Sequence, residues 1–235
     1  MRPDESAFQE SRTEPERERE QAFMAWLQAG RLPEIKPGVQ QRSARTAYAL
    51  LESGAALMRE RALDALSIEE ICNGAGATVG AFYGRFEDKM GFFAALQRLT
   101  CLRSEAALDA FMQQHPAEGG TLEELCHAMV AMTVQRYRAN VGVYRAALKH
   151  SDEGAWEPFR RLGDLYRQRL VELLSPHLPT LDGPARALRI RFAYQVMVGT
   201  LVHATLNAPG PVQLGDPAMI DELAGLVLGY LRSPG

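Results

Sequence analysis

Apolar side chains recur at intervals of three and four residues along most of the chain, from about residue 41 to the C-terminus. That interval places them on one face of an α-helix, whereas a half-buried β-strand would alternate apolar and polar positions. The sequence has no convincing alternation of that kind. The pattern therefore predicts an all-α protein with helices at about residues 43–61, 68–75, 78–84, 88–113, 121–138, 141–150, 155–175, 184–207 and 217–232.

Polar residues mark the starts of several of these helices. Ser67 and Thr121 are each followed three residues later by a glutamate, Glu70 and Glu124. In such a capping box the two side chains accept hydrogen bonds from backbone amides that the helix leaves unpaired. Asp216, which precedes a proline, predicts a third start with the aspartate as N-cap and the proline in the first turn.

The N-terminal residues stand apart from this pattern. Two prolines and a glycine between residues 33 and 38 interrupt helix formation, so residues 1–42 are predicted to form an extension before the folded body. Within it, Pro15–Gly30 has the composition of a short amphipathic helix. Its acidic residues outnumber its basic ones, which disfavours an electrostatic DNA-binding arm. We expect the helix to dock on protein through Phe23, Trp26 and Leu27.

A tight turn joins the second and third predicted helices. Gly76 suits the left-handed conformation that ends a helix, and Thr78 can cap the next one. Two short helices joined in this way form a helix-turn-helix. The third helix contains Gly80 and Gly84, each costing about 1 kcal/mol relative to alanine. They could allow close approach to a DNA groove or close packing against the first helix, and the sequence leaves both readings open.

Residues 43–96 resemble the DNA-binding domain of the tetracycline-repressor (TetR) family. The resemblance rests on a turn, a cap and four following positions, here Ala75, Gly76, Thr78, Gly80, Tyr83, Phe86 and Lys89. The chain departs from the commonest pattern at Ala62, Arg85 and Gly91, so the operator sequence cannot be carried over. The resemblance implies a three-helix DNA-binding domain at residues 43–96 and a larger helical domain at residues 97–235 that binds a small effector and forms a homodimer.

Operator contacts are expected from the helix-turn-helix and the helix ends around it. Tyr83 suits a phosphate or a base edge, and Val79 and Ala81 offer methyl groups to thymine. At the start of the fourth helix, the amide and charge of Lys89 and the helix dipole converge on one phosphate. The residues expected to contact DNA are Arg42, Arg45, Ser67, Thr78, Val79, Gly80, Ala81, Tyr83, Arg85 and Lys89. For Arg42 and Arg45, simple solvation is an equally good reading.

The effector pocket is expected among the helices of the second domain. Its candidate lining residues are Cys126, Met129, Met132, Thr133, Tyr137, Phe159, Tyr166 and His203. Methionines adapt to irregular ligands, but they also fill ordinary cores, and this alternative stays open. The sequence does not identify the effector. Release of the protein from its operator by that effector is the commoner arrangement in the resembled family.

Small residues recur on one stripe of the last two helices, at Gly199, Gly225 and Gly229. Such a stripe permits close helix packing, either within one chain or across a dimer interface. A helix-turn-helix reads two half-sites only when it is paired. We therefore expect a homodimer through the last two helices.

Composition and charge exclude several other classes of protein. The formal net charge of −3 gives no overall attraction to nucleic acid, so a DNA-binding surface must be local. The three cysteines are an odd number without C-x-x-C spacing, which is typical of reduced thiols in the cytoplasm. No secretory signal is evident, and the longest apolar stretch, Phe192–Leu206, is too short to span a membrane. A soluble cytoplasmic protein is expected.

Two rival functions lack sequence support. The G-x-S-x-G and H-E-x-x-H motifs of hydrolases are absent and the five histidines are scattered, so we expect no catalytic residues, metal site or cofactor. A thiol-based redox regulator would use Cys72 in the second helix. Such chemistry needs an exposed thiol of low pKa, and apolar neighbours such as Ile71 argue against one here.

Overall fold

A computed structural model describes residues 13–36, 41–117, 119–207 and 210–233. These residues form ten α-helices and three short 3₁₀ turns, with no β-strand among them, which confirms the all-α class. The helices are α1 (Glu14–Gln28), α2 (Gln41–Glu60), α3 (Ile68–Gly74), α4 (Val79–Tyr83), α5 (Lys89–Gln114), α6 (Leu122–Ala139), α7 (Val141–Lys149), α8 (Glu157–Leu174), α9 (Gly183–Asn207) and α10 (Ala218–Arg232). The 3₁₀ turns are Leu63–Ala65, Ser151–Glu153 and Ser175–His177.

The predicted helix positions agree with the structure to within two residues at each end. Both capping boxes are confirmed, at Ser67 before α3 and at Thr121 before α6. The prediction for α10 is wrong, because Pro217 rather than Asp216 occupies the N-cap position. The Asp216 carboxylate instead accepts a hydrogen bond from the amide of Gln213 at 2.6 Å, which closes a turn before the helix.

The described part of the chain divides into two compact units, with the boundary between Leu99 and Thr100 inside α5. The first unit holds α1 to α4 and the start of α5. No helix within the described ranges is both long and apolar enough to cross a membrane.

Aromatic rings form the core of the first unit. The ring centroid of Phe86 lies 5.2 Å from that of Phe82 and 5.2 Å from that of Phe92, and all three side chains are buried. Two glycines allow this packing: a Cβ atom at Gly54 would lie 2.4 Å from Cζ of Phe92, and one at Gly74 would lie 2.3 Å from the hydroxyl of Ser53. The glycines that bring helices together here are therefore Gly54 and Gly74.

Helix α1 packs against α2 as part of the first unit. Phe23 is fully buried, and its ring lies 5.1 Å from that of Tyr48. Trp26 and Leu27, which were expected to dock with it, are half-buried. The extension thus contributes a large apolar side chain to the core beside the helix-turn-helix.

The second unit is a bundle in which α6 packs on α10, α8 packs on α9, and α9 contacts α7 and α10. Its helices bury an apolar face of aliphatic and aromatic residues. The largest fully buried side chains of this unit are Tyr144 and Tyr166, which carry hydroxyl groups into the core. Buried phenols require polar partners, so this region is described further below.

Candidate DNA-binding and effector sites

The turn between α3 and α4 has the geometry of a helix-turn-helix. Gly76 has a φ of +61°, the left-handed conformation that glycine adopts at little cost. The amide of Ala77 then donates to the carbonyl of Cys72 at 2.9 Å. The hydroxyl of Thr78 accepts a hydrogen bond from the amide of Ala81 at 3.1 Å and caps α4. Both roles predicted for this turn are confirmed, and together they fix where α4 begins.

Helix α4 presents an exposed edge. Thr78 and Gly80 are exposed, and 48% of the surface of Tyr83 is accessible although it is a large aromatic residue. Val79 and Ala81 are half-buried. All five residues predicted to read DNA from this helix are therefore at least partly accessible, while the buried Phe82 anchors the helix in the core.

Gly80 faces open space. A Cβ atom added there would meet only the Thr78 hydroxyl, at 3.9 Å. One added at Gly84 would meet the carbonyl oxygens of Gly80 and Ala81, at 3.3 and 3.5 Å, which belong to the same short helix. Packing against the first helix therefore does not explain the glycine at position 80. The open space beside Gly80 instead favours the other interpretation, close approach of another molecule.

Lys89 is half-buried and its ammonium group already has partners. Its Nζ atom donates to the carbonyl of Leu66 at 3.0 Å and to that of Asp64 at 3.3 Å. These bonds tie the turn before α3 to the start of α5. An ammonium group has three donors, so one remains for a phosphate.

Arg85 and Arg45 also contact protein. The Nε atom of Arg85 donates to the carbonyl of Ser43 at 3.0 Å. Arg45 forms an ion pair with Glu20 of α1, with 3.4 Å between Nε and Oε1. Arg42 is exposed. Two of the arginines expected to contact DNA therefore also fasten α2 to its neighbours.

Ser67 is exposed, and its hydroxyl accepts a hydrogen bond from the amide of Glu70 at 3.1 Å as the N-cap of α3. The Glu70 carboxylate in turn accepts bonds from Arg61 at 2.5 Å and from the Ser67 amide at 2.8 Å. The bond from the Arg61 guanidinium, followed by that from Ser67, lowers the pKa of Glu70 to about 2. The start of α3 is thus held by a carboxylate that stays ionised at neutral pH.

Lys36 is a residue that sequence reasoning did not single out. Its amide donates to the carbonyl of Arg85 at 2.8 Å, and its Nζ atom donates to the carbonyl of Tyr83 at 3.2 Å. It follows two buried residues of the extension, Leu32 and Ile35. An exposed cation therefore lies at the C-terminal end of α4, where its charge interacts favourably with the negative end of the helix dipole. Only the folded arrangement reveals it, because the contact spans 47 residues.

Most of the residues expected to line an effector pocket lie in the core of the second unit. Cys126, Met129, Thr133, Tyr137, Phe159 and Tyr166 are buried. Met132 is half-buried, whereas His203 lies exposed on α9 and away from them. None of the eight lines either of two surface hollows, of about 690 and 350 Å³, found in this unit. Six of the eight expected lining residues are therefore buried side chains of the second unit.

A half-buried cationic side chain lies beside this core. The Cζ atom of Arg136 on α6 is 4.2 Å from the centre of the Tyr166 ring and 5.9 Å from that of Tyr137. Tyr144 stacks on Tyr137 with 4.3 Å between centroids, and Tyr194 stacks on Tyr166 at 6.0 Å. We call the four tyrosines the tyrosine cage. It draws on four helices, α6 to α9.

Arg136 is incompletely compensated. The residue is half-buried, but its Nε and Nη1 atoms are buried and have no hydrogen-bond partner among the residues that the structure describes. Burial raises the pKa values of Tyr166 and Tyr194, and contact with Arg136 acts to lower them against this larger effect. Neutral rings and hydroxyls do not supply the negative charge that a desolvated guanidinium favours.

The last two helices carry several large apolar side chains that are exposed. On α9 and α10 these are Leu188, Phe192, Leu206, Leu226 and Tyr230. The rings of Phe192 and Tyr230 lie 5.7 Å apart, so the two helices contribute to one surface. We call this surface the α9–α10 face.

The three glycines of the predicted stripe belong to the same two helices. A Cβ atom at Gly199, Gly225 or Gly229 would meet nothing within 4 Å. Packing within the described part of the chain therefore does not account for these glycines. Their arrangement beside the apolar side chains favours contact with another surface.

The thiols are poorly suited to redox sensing. Cys72, Cys101 and Cys126 are all buried. Burial, and then the nearby charge of Glu69, raises the pKa of Cys72, while burial raises that of Cys126 to about 11. A thiol is reactive as the thiolate, which these environments disfavour.

Both units match models of known protein families. Residues 50–96 match the family model described as bacterial regulatory proteins of the tetR family, and residues 121–231 match the tetracyclin repressor-like C-terminal domain. No curated protein matches the sequence.

Solved structures share the fold at low sequence identity. The fatty acid degradation regulator FadR from Bacillus halodurans is 20% identical with a TM-score of 0.60, over 85% of this chain and 100% of that one. A putative TetR-family transcriptional regulator from Mesorhizobium loti is 17% identical with a TM-score of 0.61, over 82% of this chain and 97% of that one. FadR from Bacillus subtilis, solved in complex with stearoyl-CoA, is 15% identical with a TM-score of 0.57, over 79% of this chain and 97% of that one.

The two family matches together span the helix-turn-helix and most of the second unit. The structures extend the likeness to the order of the helices along the chain. The chain belongs to the TetR family of bacterial transcriptional regulators.

Proposed function

We propose that this protein is a repressor that binds double-stranded operator DNA as a homodimer and leaves it when a small molecule binds the second unit. The observation that carries the proposal is the exposed edge of α4, which is capped by Thr78 and open at Gly80. A major groove about 12 Å wide admits a helix, and a glycine on the groove side lets the backbone approach the bases. This role needs no catalytic group, and it places the protein with the DNA in the bacterial cytoplasm.

The α9–α10 face supports the proposed dimer. Two copies that bury Leu226 and Tyr230 against each other would remove this exposed apolar surface from water. Pairing also presents two α4 helices to two half-sites, whose centres lie about 34 Å or a multiple of it apart on one side of the duplex. The dimer is therefore needed for selective binding as well as for burial.

Release follows if the effector binds more tightly to a form of the dimer whose α4 helices no longer match the half-sites. Operator affinity then falls by the coupling free energy between the two sites, typically about 1–3 kcal/mol. The stearoyl-CoA complex of the Bacillus subtilis FadR structure is a case of this fold with a bound small molecule. It supports a ligand site in the helical unit here without identifying the ligand.

The proposal is tested by a gel-shift and salt titration of the purified protein on the DNA upstream of its own gene, beside an unrelated duplex of equal length. Selective binding by two protomers per site would support it. Equal and weak binding to both duplexes, lost with modest salt, would contradict it, because only phosphate contacts would then be present.

Removing one hydroxyl from α4 tests the assignment of the DNA-contacting edge. Tyr83→Phe is expected to weaken operator binding about tenfold, because a hydrogen bond to a charged phosphate contributes about 1.5 kcal/mol or more. Helix content and dimerisation should not change, since Tyr83 is exposed. Ser151→Ala removes an exposed hydroxyl from the second unit, away from the α9–α10 face, and is the control, with unchanged operator affinity in the same titration. Equal affinities for the two variants would remove Tyr83 from the interface.

A charge on the α9–α10 face tests the dimer. Leu226→Glu is expected to raise the dimer dissociation constant at least about a hundredfold, because an unpaired carboxylate would be buried between the protomers. Sedimentation velocity over a range of concentrations measures the change. Met90→Glu places the same charge on an exposed apolar position of the first unit and should leave the dimer intact. A Leu226→Glu protein that stays dimeric would show that the protomers pair elsewhere.

A further inference from the structure

The guanidinium of Arg136 has two buried donor atoms, Nε and Nη1, without an acceptor among the described residues. The hydroxyl of Tyr144 is also buried there, near the Ser104 side chain but without the geometry of a hydrogen bond. By contrast, the Tyr166 hydroxyl donates to the carbonyl of Ser104 at 2.9 Å. Arg136 and the tyrosine cage thus hold three buried donor atoms without partners among the described residues, and buried donors in native proteins nearly always have partners.

The cage supplies no negative charge. Burial raises the pKa of Tyr144 to about 12 and raises the pKa values of Tyr137, Tyr166 and Tyr194 as well, so all four phenols are neutral at physiological pH. In the described ranges, no aspartate or glutamate forms an ion pair with Arg136. The region therefore carries one uncompensated positive charge. A single negative charge would balance it, whereas a dianion would leave a buried excess.

An aromatic cluster adjoins the tyrosine cage. The Tyr144 ring lies 4.7 Å from that of Phe159 and 6.4 Å from that of Trp156, and the last two rings are 5.4 Å apart. Phe159 is buried, but Trp156 is half-buried, so the cluster extends from the core to the accessible surface of the second unit. A ligand with a charged end at Arg136 would pack its body along apolar and aromatic side chains, which is how small-molecule sites are usually built.

We propose that Arg136 and the tyrosine cage bind the carboxylate of a monocarboxylic acid, and that its aliphatic or aromatic body packs along Phe159 and Trp156. A guanidinium and a carboxylate form short charge-assisted hydrogen bonds, and Tyr144 can donate a further one. The proposal rests on the proposed function only in naming this acid as the effector. Binding itself does not depend on DNA.

The fluorescence of Trp156 measures binding in the full-length dimer, in a Trp26→Phe background that removes the other tryptophan. The probes are hexanoate, octanoate and phenylacetate, each titrated beside its uncharged primary amide. We expect saturable binding of the acids, tighter for octanoate than for hexanoate, and at least about tenfold tighter than that of the amides. Equal binding of acid and amide, or no binding of any acid up to about 10 mM, would overturn the proposal.

Substitution of the cation assigns the preference to this site. Arg136→Met keeps the length of the side chain without its charge and should weaken acid binding at least about tenfold, with amide affinity within threefold. Arg136→Lys should recover part of the acid preference, which a purely structural role would not predict. Arg161→Met, at an exposed arginine of α8, is the matched control and should bind as the unmodified protein does. An acid preference that survives in Arg136→Met would also overturn the proposal, and the acid–amide comparison decides the matter even if that variant does not fold.

Failure of this site and failure of the proposed regulatory role are separable. If the acids bind but leave the operator complex intact, the carboxylate site stands and the effector is a different molecule. If the operator complex forms and the acids do not bind, the DNA-binding role stands and the carboxylate site is wrong.

Discussion

Gly80→Leu is expected to reduce selective operator binding to the level of nonspecific binding, about 10³-fold or more weaker. The new side chain would project from the exposed edge of α4 into the space where the bases approach, because a Cβ atom at Gly80 meets only the Thr78 hydroxyl at 3.9 Å. The same geometry predicts no clash within the protein. Leucine also favours the helical conformation by up to about 1 kcal/mol over glycine, so the melting temperature should stay constant or rise slightly.

The measurement is a fluorescence-anisotropy titration with operator and unrelated duplexes at one salt concentration. Gly183→Leu is the matched control, since a Cβ at that glycine, which begins α9, also meets nothing within 4 Å. It should bind the operator normally. A Gly80→Leu protein with full operator affinity would mean that α4 does not enter the groove.

Phe86→Ala is expected to destabilise the first unit by about 3–5 kcal/mol. The Phe86 side chain is fully buried, and its loss would remove ring contacts to Phe82 and Phe92 and leave a cavity between them. Operator binding should fall with the fraction of folded protein, because Phe82 anchors α4 in this core.

Urea denaturation followed by Trp26 fluorescence, in a Trp156→Phe background, reports on the first unit separately from the second. Met90→Ala is the control: 38% of Met90 is exposed, and the change should stay within about 0.5 kcal/mol. A loss below about 1 kcal/mol for Phe86→Ala would show that this aromatic core contributes little to stability.

Local features of the sequence account for the helices. Apolar spacing and capping residues such as Ser67 and Thr121 act within a few positions, so they were readable without the fold. The prediction for Asp216 was wrong for an equally local reason, because its carboxylate accepts a hydrogen bond from the Gln213 amide and not from an amide of the helix. A short acidic side chain before a proline can accept from a preceding turn or from the first turn of a helix. The sequence does not distinguish these two arrangements.

The partners of the cations could not be read from the sequence. Arg85 donates to the Ser43 carbonyl across 42 residues, and Lys89 donates to that of Leu66 across 23. Sequence reasoning recognised exposed positive charge near the helix-turn-helix but not its engagement with backbone carbonyls. Such contacts depend on how helices pack, which periodicity alone does not specify.

Arg136 differs from these cations, because the sequence itself contains a sign of its unusual position. It follows Met129 by seven residues and Thr133 by three, so it lies on the same face of α6 as two of the residues expected to line the pocket. A charged residue on a buried stripe is uncommon and marks either a partner or a ligand. What the sequence could not supply was the cage, since Tyr166 and Tyr194 come from other helices.

The contacts of Lys36 and Phe23 affect how the protein can be divided for experiments. A chain shortened to begin at residue 41, where α2 begins, would lose Phe23 from the core and both hydrogen bonds that Lys36 donates, to Tyr83 at the end of α4 and to Arg85 just after it. Helix α4 would be held less firmly in the first unit. DNA sequences selected with the shortened chain would therefore not represent the binding preference of the full-length protein.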